Sequence, residues 1–539
     1  MQARVTHQDQ DTGRRAPKAW PAARTRRATP RAGSAALLAA VVACVAACGS
    51  EHAGTSLRIA LGYEEITGLD TAEVTLQDRT QSAPIAHELL LLVPDELAGT
   101  EMQVEVWGRR DGQRAAFGRA TAVPMLGKTI EVSLQLFACS PRCDGDQLTS
   151  CKEPMTSCPL GCVDGDEPRC AAPTPSNGVD PAAADAAHTS VTISVDTTFD
   201  TDTGAIAGGL ARAPGVGYGG GIGYLQAAPS AAGGAPLGIF VFHDLNIDPG
   251  ATVRFSGSRA AVVLIANLGL LDGVIDVAGD HGGRSTPGPG GGAGGTEVSD
   301  AQGCGRGEPG THASLNSDGG GGGAGAGTTG GPGGGPLGSD IPGGPACLPM
   351  MLEPLQGGSG GGRGSPGAVA TAASGGGGGG AIQITSLGVL TVTGSILAGG
   401  AGGEGGPASA IDAGGGGGGG SGGAILLEAP ILNVGKMALL IANGGGGGGG
   451  ATEGATTSLA GTPGEDAGTS FGPVQGGGGD SNGGSGGAEG SPPDVGTSGT
   501  SNGGGGGGAA GAIVIRGRSR IVEGTISPRA LQADIKPPM

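Results

Sequence analysis

Blocks of uninterrupted glycine stand just before short apolar runs, and this arrangement limits what the chain can fold into more than any other feature. Three of these blocks are residues 375–380, 414–420 and 503–508. The apolar runs that follow begin at Ala381, Ala424 and Ala512, and each contains short segments rich in Ile, Leu and Val. Such segments are too short and too β-branched for helices, so they predict strands.

The strand-rich runs recur along the chain. Ala424 follows Ala381 by 43 residues, and Ala512 follows Ala424 by 88 residues, about twice 44. Residues 261–279 form an earlier copy without a leading glycine block. These spacings predict a fixed period near 44 residues, and a period of this size is typical of repeat proteins. Because three short strands per copy bury no face alone, the spacing predicts stacked coils that share one core.

The pattern of strand, short turn and strand, with Gly-x-Ile-x-x-Gly-Gly at coil ends, resembles right-handed parallel β-helix proteins. The glycine-rich excursions resemble those of large glycine-rich surface proteins of myxobacteria and, more loosely, of the mycobacterial PGRS class. The resemblance spans about residues 188–530 and is one of composition and pattern. It implies a mainly β chain in which residues 188–535 form a glycine-rich right-handed parallel β-helix with polyglycine II-like excursions.

Glycine accounts for 122 of the 539 residues. The structure of the excursions between the strands therefore depends on whether the glycine blocks are flexible or ordered. One interpretation is flexible linkers, because glycine loses more backbone entropy on folding than any other residue. The blocks 414–420, 444–450 and 503–508 are nevertheless similar in length and contain none of the Ser, Lys and Glu of disordered chains. We therefore predict polyproline II-like segments that lie side by side and exchange N–H···O=C bonds.

The N-terminal region has the pattern of an export signal. An Arg-rich stretch precedes an apolar run at residues 35–47, which is too short to cross a bilayer but fits a signal-peptide core. The run ends in Val-Ala-Ala before Cys48, which resembles a bacterial lipobox. Residues 1–47 are therefore predicted as a lipoprotein signal peptide, Cys48 as the lipidated residue and 48–55 as a tether. An ordinary secretory signal is the alternative.

Location and charge narrow the class of partner. No Asp of an inner-membrane retention signal follows Cys48, so the predicted location is the bacterial outer membrane or cell surface. The formal net charge is −18, and no basic stripe with interleaved aromatic residues is present. Because an acidic chain repels phosphate backbones, nucleic acid is excluded as a partner. The predicted partners are a membrane, through the lipid, and surface polysaccharide or other cell-envelope components.

The sequence between the tether and the repeats divides into three parts. Residues 56–137 alternate apolar and polar residues over about six strands, which favours an immunoglobulin-like sandwich with Trp107 as a candidate core residue. Residues 138–172 are a cysteine-rich segment, and residues 173–187 form a Pro- and Ala-rich linker.

The cysteines after Cys48 are even in number and predict disulfides. Six form a duplicated Cys-x3-Cys-x7-Cys pattern: Cys139, Cys143, Cys151, Cys158, Cys162 and Cys170. Zinc is the alternative for this cluster, although it lacks histidine and Cys-x2-Cys pairs. Its connectivity stays open, because six cysteines allow 15 pairings. Cys304 and Cys347 stand alone in glycine-rich sequence and are predicted to pair with each other.

Two groups of residues resemble catalytic or metal-binding motifs. Three Gly-x-Ser-x-Gly matches, at residues 357–361, 419–423 and 483–487, lack the strand and helix of a hydrolase elbow, so we interpret them as chance. Asp196, Asp200 and Asp202 offer oxygen ligands to calcium, but a solvated turn is the simpler interpretation.

A carbohydrate-active β-helix enzyme, similar to a polysaccharide lyase or hydrolase, is the main alternative function. The nearest candidate cluster is Asp272, Asp276 and Asp280, with His281 and Arg284 beside it. Turns interrupt this cluster and aromatic platforms for sugars are scarce, so we assign no catalytic residue, metal ligand or cofactor. A module that binds ice or another ordered surface is a third candidate, although only residues 391–393 and 189–191 hint at the threonine ladder that it needs. The prediction is a structural or adhesive role without catalysis.

Overall fold

The computed structural model describes residues 54–537, except 64–65, 67, 78, 111–112, 140–141, 151–152, 166–167, 281–282, 315–316, 336–339, 368–370, 410–411 and 453–457. The predicted signal peptide, Cys48 and Cys151 lie outside these residues. The described part is mainly β, and its helical residues lie in three short 3-10 turns: Asp95–Leu97, Ser176–Gly178 and Pro181–Ala186. No helix within it has the length and hydropathy needed to cross a bilayer. The chain divides into two compact units, Met1–Ala138 and Cys139–Met539.

The first unit contains two β-sheets whose buried residues form one apolar core. Its strands are β1 Ser56–Gly62, β2 Thr71–Leu76, β3 Arg79–Pro84, β4 Glu88–Leu92, β5 Met102–Arg110, β6 Gln113–Ala122, β7 Thr129–Gln135 and β8 Phe137–Ala138. One sheet has the order β4-β1-β7 and the other β3-β2-β5-β6-β8. Because β1 pairs antiparallel with β4 and parallel with β7, the first sheet is mixed.

Trp107 lies outside this core, so its assignment as a core residue is wrong. Along β5, Val104 and Val106 are fully buried, and the alternation of a strand turns Trp107 to the opposite face. On that face its ring centroid lies 4.4 Å from that of Phe117, and the guanidinium of Arg114 lies 4.3 Å from its ring centre. Trp107 is therefore part of a half-buried patch that it forms with Phe117 and Arg114.

The second unit begins with small antiparallel ladders in the cysteine-rich segment. They are formed by β9 Arg142–Asp144, β10 Gln147–Ser150, β11 Glu153–Ser157, β12 Cys162–Val163 and β13 Arg169–Cys170. β10 lies between β9 and β11, and β12 pairs with β13. Ladders this short bury little apolar area, so disulfides supply much of the local restraint.

Successive coils of three strands organise the rest of the second unit. The first positions are β19 Leu237–Phe242, β22 Ala260–Ile265, β27 Ala381–Ser386 and the first parts of β30 Ala424–Val434 and β32 Ala512–Val522. The second positions are β20 Asp244–Ile247, β23 Leu268–Leu271, β28 Val389–Val392 and the second parts of β30 and β32. The third positions are β21 Thr252–Ser256, β24 Val274–Asp276, β29 Ser395–Leu397, β31 Leu439–Ile441 and β33 Thr525–Ser527. Strands at one position pair in parallel from coil to coil.

Other strands close the ends of the coils and make the sheets mixed. β14 Ser190–Ile193 and β15 Thr197–Asp200 pair in parallel with β20 and β21. β16 Ile206–Gly208 pairs antiparallel with β15, and β17 Gly217–Gly219, β18 Ile222–Ala227 and β19 form an antiparallel ladder. At the other end β34 Leu531–Ala533 pairs with β32. A separate hairpin joins β25 His312–Ser314 to β26 Ser317–Asp318.

Apolar side chains stack in register from coil to coil. Ile382, Ile425 and Ile513 are direct neighbours on successive strands, and Leu390 faces Leu432 in the same way. All five are buried, and they belong to one apolar cluster that runs through the coils. Each coil thus supplies one layer of a continuous core.

The repeats that the sequence identifies are neighbours in the structure. Ala381 pairs with Ala424, and Ala424 pairs with Ala512. The 88-residue spacing is therefore one coil step, and a fixed period near 44 residues is wrong. Coils keep a constant strand part, whereas the excursion between them varies in length.

All three long excursions leave the coils at the same corner. They follow β24, β29 and β31, and they return to the first-position strand of the next coil as residues 277–380, 398–423 and 442–511. Because neighbouring coils are stacked in register, excursions from one corner are placed side by side. The position of this corner sets the spacing of the glycine segments.

Residues 414–423, called here the central segment, lie among six other segments that together form the glycine bundle. Its N–H groups donate in rotation, and residues three apart donate to the same neighbour at 2.8–3.1 Å. Gly416, Gly419 and Gly422, for example, donate to the carbonyl groups of Gly503, Gly506 and Ala509. The acceptor segments are 357–365, 398–407 and 503–511, and the segments that donate to it are 319–327, 374–380 and 444–451.

A repeat of three residues is the period of the polyproline II helix, which has no internal hydrogen bonds. Every peptide group of such a segment must therefore bond to a neighbour or to water. The residues of the central segment are all buried, and their main-chain groups bond to the surrounding segments. The main-chain hydrogen bonds between glycine segments agree with that part of the prediction, and protection of these amides from exchange stays a prediction.

Candidate functional site

The two isolated cysteines form the predicted disulfide. Cys304 is bonded to Cys347, with their Cα atoms 5.9 Å apart and a sequence separation of 43. The loop that they close carries the hairpin of β25 and β26 and the segment 319–327. The disulfide thus restrains one edge of the glycine bundle.

The duplicated cysteine pattern is joined both within and between its copies. Cys143 is bonded to Cys162, which holds the same position in the second copy, and Cys158 is bonded to Cys170 within that copy. Cys139 is also disulfide-bonded. These sulfur atoms are engaged with one another, so the structure supports disulfides and not zinc at these positions.

The carboxylates weighed as an enzyme site are engaged by different partners. The contacts are Asp272 with Thr393, Asp276 with Arg254, and Arg284 with Asp466. His281 lies outside the described residues. These contacts tie neighbouring coils and excursions together.

The carboxylates weighed as a calcium site satisfy main-chain donors. Asp200 Oδ1 accepts hydrogen bonds from the N–H groups of Asp202 and Thr203, at 2.8 and 3.0 Å. Asp196 Oδ1 accepts one from the N–H of Thr252 at 2.9 Å. These contacts fit the turn interpretation.

Two of the Gly-x-Ser-x-Gly serines act as packing elements of the bundle. Ser421 Oγ accepts a hydrogen bond from the N–H of Ser359 at 2.8 Å, and Ser359 Oγ accepts one from the N–H of Gly305 at 2.9 Å. Both serines are buried between glycine segments. This environment supplies neither the strand nor the helix of a nucleophile elbow.

The residues around Thr391 do not continue a threonine ladder. Thr391 pairs with Leu270 on one neighbouring strand and with Asn433 on the other. Its face therefore lacks the repeated hydroxyl groups that an ice-binding ladder needs.

A buried polar network joins Ser176, which lies before the coils in the chain, to the first-position strands. Glu428 faces Arg516 across neighbouring strands, with Arg516 Nη1 at 3.4 Å from Glu428 Oε1. Glu428 also accepts hydrogen bonds from Ser176 Oγ at 2.6 Å, Gln383 Nε2 at 3.0 Å and Thr385 Oγ1 at 2.8 Å. A buried carboxylate that accepts this many hydrogen bonds has a structural role, because it stabilises the contact between Ser176 and the strands.

A cluster of metal-ligating side chains lies at the end of the bundle remote from the coils. It comprises His312 on β25, Asp318 at the end of β26, and Asp412 just before the central segment, and one ligand atom from each lies within 4.8 Å of the others. His312 Nδ1 is 3.0 Å from Asp318 Oδ1 and 4.0 Å from Asp412 Oδ2. Both aspartate side chains are fully buried, whereas that of His312 is 45% exposed. We call these three residues the acid–histidine cluster.

Two ionised carboxylates so close together and so deeply buried cost free energy unless a cation or a proton is bound between them. Burial raises the pKa of the Asp318 carboxyl, and the neighbouring Asp412 carboxylate raises it further. Hydrogen bonds from Ser365 and His312 work against this shift but do not cancel it. Two adjacent buried carboxylates favour any group that brings positive charge.

Sequence reasoning missed this cluster, because Asp318 and Asp412 are far apart in the chain. The available signal was positional. Each aspartate stands immediately or almost immediately before a glycine segment, although the segments themselves nearly lack acidic residues. Only the packing of one excursion against another brings the two together.

Comparison with known proteins adds no family to this description. The chain matches no protein-family model, and neither curated proteins nor solved structures show significant similarity to it.

Proposed function

We propose that this chain is an exported, lipid-anchored protein of the bacterial outer membrane or cell surface with a structural or adhesive role and no catalytic activity. In this proposal the coils form a right-handed parallel β-helix, and residues 56–137 form an immunoglobulin-like stalk. The glycine bundle is the part that meets other components of the cell envelope.

The observation that carries the proposal is the bundle itself. Seven segments bond to one another through main-chain groups, and the buried central segment contacts six of them. The bundle has the regular main-chain order of a structural scaffold, and in this proposal its outer surface contacts extended polymers such as surface polysaccharide. The disulfides are in keeping with an oxidising compartment.

The anchor is tested by membrane fractionation of cells that express the full chain. Cys48→Ser removes the predicted lipidated residue and is expected to release the protein into the soluble fraction. Cys44→Ser is the matched control, because Cys44 follows Val-Val-Ala at residues 41–43, a second and weaker resemblance to a lipobox. Retention of the Cys48→Ser protein on membranes at high salt contradicts the anchor.

The absence of catalysis is tested on the purified chain. We expect saturable binding to cell-envelope polysaccharide without release of reducing ends or unsaturated products over many hours. Depolymerisation that survives repurification contradicts the proposal and favours the β-helix enzyme.

A further inference from the structure

We propose that His312, Asp318 and Asp412 bind one divalent transition-metal ion, and that Zn²⁺ is the ion that these donors fit best. The site fastens the remote end of the glycine bundle. It goes beyond the surface role proposed above and stands on separate residues.

The geometry brings three donors close to the separations that a metal requires. Zinc is bound by imidazole nitrogen and carboxylate oxygen at about 2.0–2.2 Å, so donor atoms around it lie roughly 3–4 Å apart. His312 Nδ1 lies 3.0 Å from one oxygen of Asp318 and 4.0 Å from one oxygen of Asp412. Small side-chain rotations within the 4.8 Å cluster therefore suffice to surround an ion.

An unsatisfied buried atom points independently to a ligand. Asp318 has a fully buried side chain, and its Oδ2 accepts no hydrogen bond from the described residues, while its Oδ1 is bonded to Ser365 and His312. A buried carboxylate oxygen without a donor costs free energy. A cation between Asp318 and Asp412 provides the missing interaction and offsets the repulsion between the two carboxylates.

The donor set selects among metals. Calcium and magnesium prefer oxygen ligands alone, whereas imidazole combined with carboxylate suits first-row transition metals. Three protein ligands of this kind match zinc sites in which a water molecule takes the fourth position. The site is therefore expected to prefer Zn²⁺ over Ca²⁺.

The position of the donors explains what the ion does. Asp318 leads directly into the segment 319–327, and Asp412 stands two residues before the central segment at Gly414. Ser365, at the end of a third segment, donates to Asp318. One ion thus joins the ends of glycine segments that belong to two different excursions.

The test uses the full chain, purified without a polyhistidine tag under non-reducing conditions and stripped with a chelator. Titration with ZnCl₂ by calorimetry is expected to show one saturable site, and CaCl₂ is expected to compete poorly. His312→Ala and Asp412→Asn are each expected to weaken zinc binding by roughly tenfold or more. His243→Ala is the matched control, because His243 pairs with a single carboxylate, Asp244, at 3.9 Å.

A second measurement separates loss of the site from loss of the fold. Saturating Zn²⁺ is expected to raise the melting temperature of the wild-type chain and of His243→Ala, but not that of His312→Ala. Equal zinc affinity in wild type and His312→Ala overturns the proposal, and so does the absence of a stoichiometric site in a folded wild-type chain. Tighter binding of Ca²⁺ than of Zn²⁺ overturns the assignment of the metal.

Discussion

The coils and the glycine bundle are made by the same stretch of chain, yet they satisfy the backbone in different ways. In the coils, each strand bonds to the strands above and below, and residues such as Leu440 fill the interior. In the bundle, successive peptide groups turn to different neighbours, and the central segment bonds to six of them. One region is held by apolar side chains, and the other by the close approach of main chains.

The difference teaches how a chain so rich in glycine acquires a core. Apolar burial stabilises the coils by about 25 cal/mol per Å². The bundle lacks that term, and ordering each glycine costs about 1–2 kcal/mol of backbone entropy. The coils offset part of this cost, because they fix both ends of every excursion and stack them in register. The bundle is thus a dependent structure that the coils assemble.

The largest expected effect comes from adding methyl groups inside the bundle. A Cβ at Gly416 would overlap the carbonyl oxygen of Gly448, and one at Gly419 would overlap that of Gly445. Because these contacts are main chain, the double variant Gly416→Ala/Gly419→Ala is expected to lose roughly 6 kcal/mol from the free energy of unfolding. Urea unfolding of the full chain measures it.

The control for that variant is Gly472→Ala, since a Cβ at Gly472 meets no atom within 4 Å. It is expected to change the free energy of unfolding by less than about 0.5 kcal/mol. Similar effects of the two changes would mean that the bundle is loosely packed.

Removal of the bundle disulfide is the next largest change. Cys304→Ser/Cys347→Ser opens a loop with a sequence separation of 43. The chain-entropy model gives a loss of about 4 kcal/mol. Thermal unfolding is the measurement, and Cys143→Ser/Cys162→Ser is the control, because it opens a shorter loop in the cysteine-rich segment. A larger loss for the control pair contradicts the prediction.

A substitution that creates a cavity in the core of the coils tests the other region of the comparison. Leu440 is fully buried at a third-position strand, so Leu440→Ala is expected to cost about 3 kcal/mol through lost burial and a residual cavity. The nearby Met437 is 84% exposed, and Met437→Ala is expected to change stability little. Equal destabilisation by the two variants would contradict a side-chain core.

The smallest effect concerns an ion pair that depends on pH. Burial raises the pKa of Glu353, but hydrogen bonds from Lys536 and Arg516 outweigh it and hold that pKa below its ordinary value. A lowered pKa contributes stability that is present above the unfolded-state value, near 4.5, and is lost as pH falls through the folded value.

Glu353→Gln removes this contribution. The variant is expected to be less stable than wild type by on the order of 1 kcal/mol at pH 7, and the gap is expected to narrow below about pH 4. Unfolding curves across pH 3–7 measure it. A gap that stays constant over this range assigns the effect to packing.

The sequence predicts the strands and stacking of the coils more completely than it predicts the contacts within the glycine bundle. Ile425 and its equivalents recur with strand-like spacing, so the coils and their in-register stacking follow from the pattern. Glycine has no side chain, and therefore no residue in 414–420 reveals which segment lies beside it. That information lies in the corner at which excursions leave the coils.

The same reason explains why the acid–histidine cluster was not predicted. His312 and Asp412 are brought together by two different excursions, and their pairing depends on the register between glycine segments. Trp107 failed for a different reason. Its assignment followed the immunoglobulin-like interpretation, whereas the alternation of β5 alone places Trp107 on the face opposite Val104 and Val106.

The most direct test of an ordered glycine bundle is amide hydrogen–deuterium exchange of the full chain. The hydrogen bonds of residues 414–420 and 444–450 predict protection comparable to that of the adjoining strand residues Ile425 to Leu427. Exchange of those glycine amides at the rate of a free peptide, beside a protected strand, would contradict the account and leave the excursions as linkers.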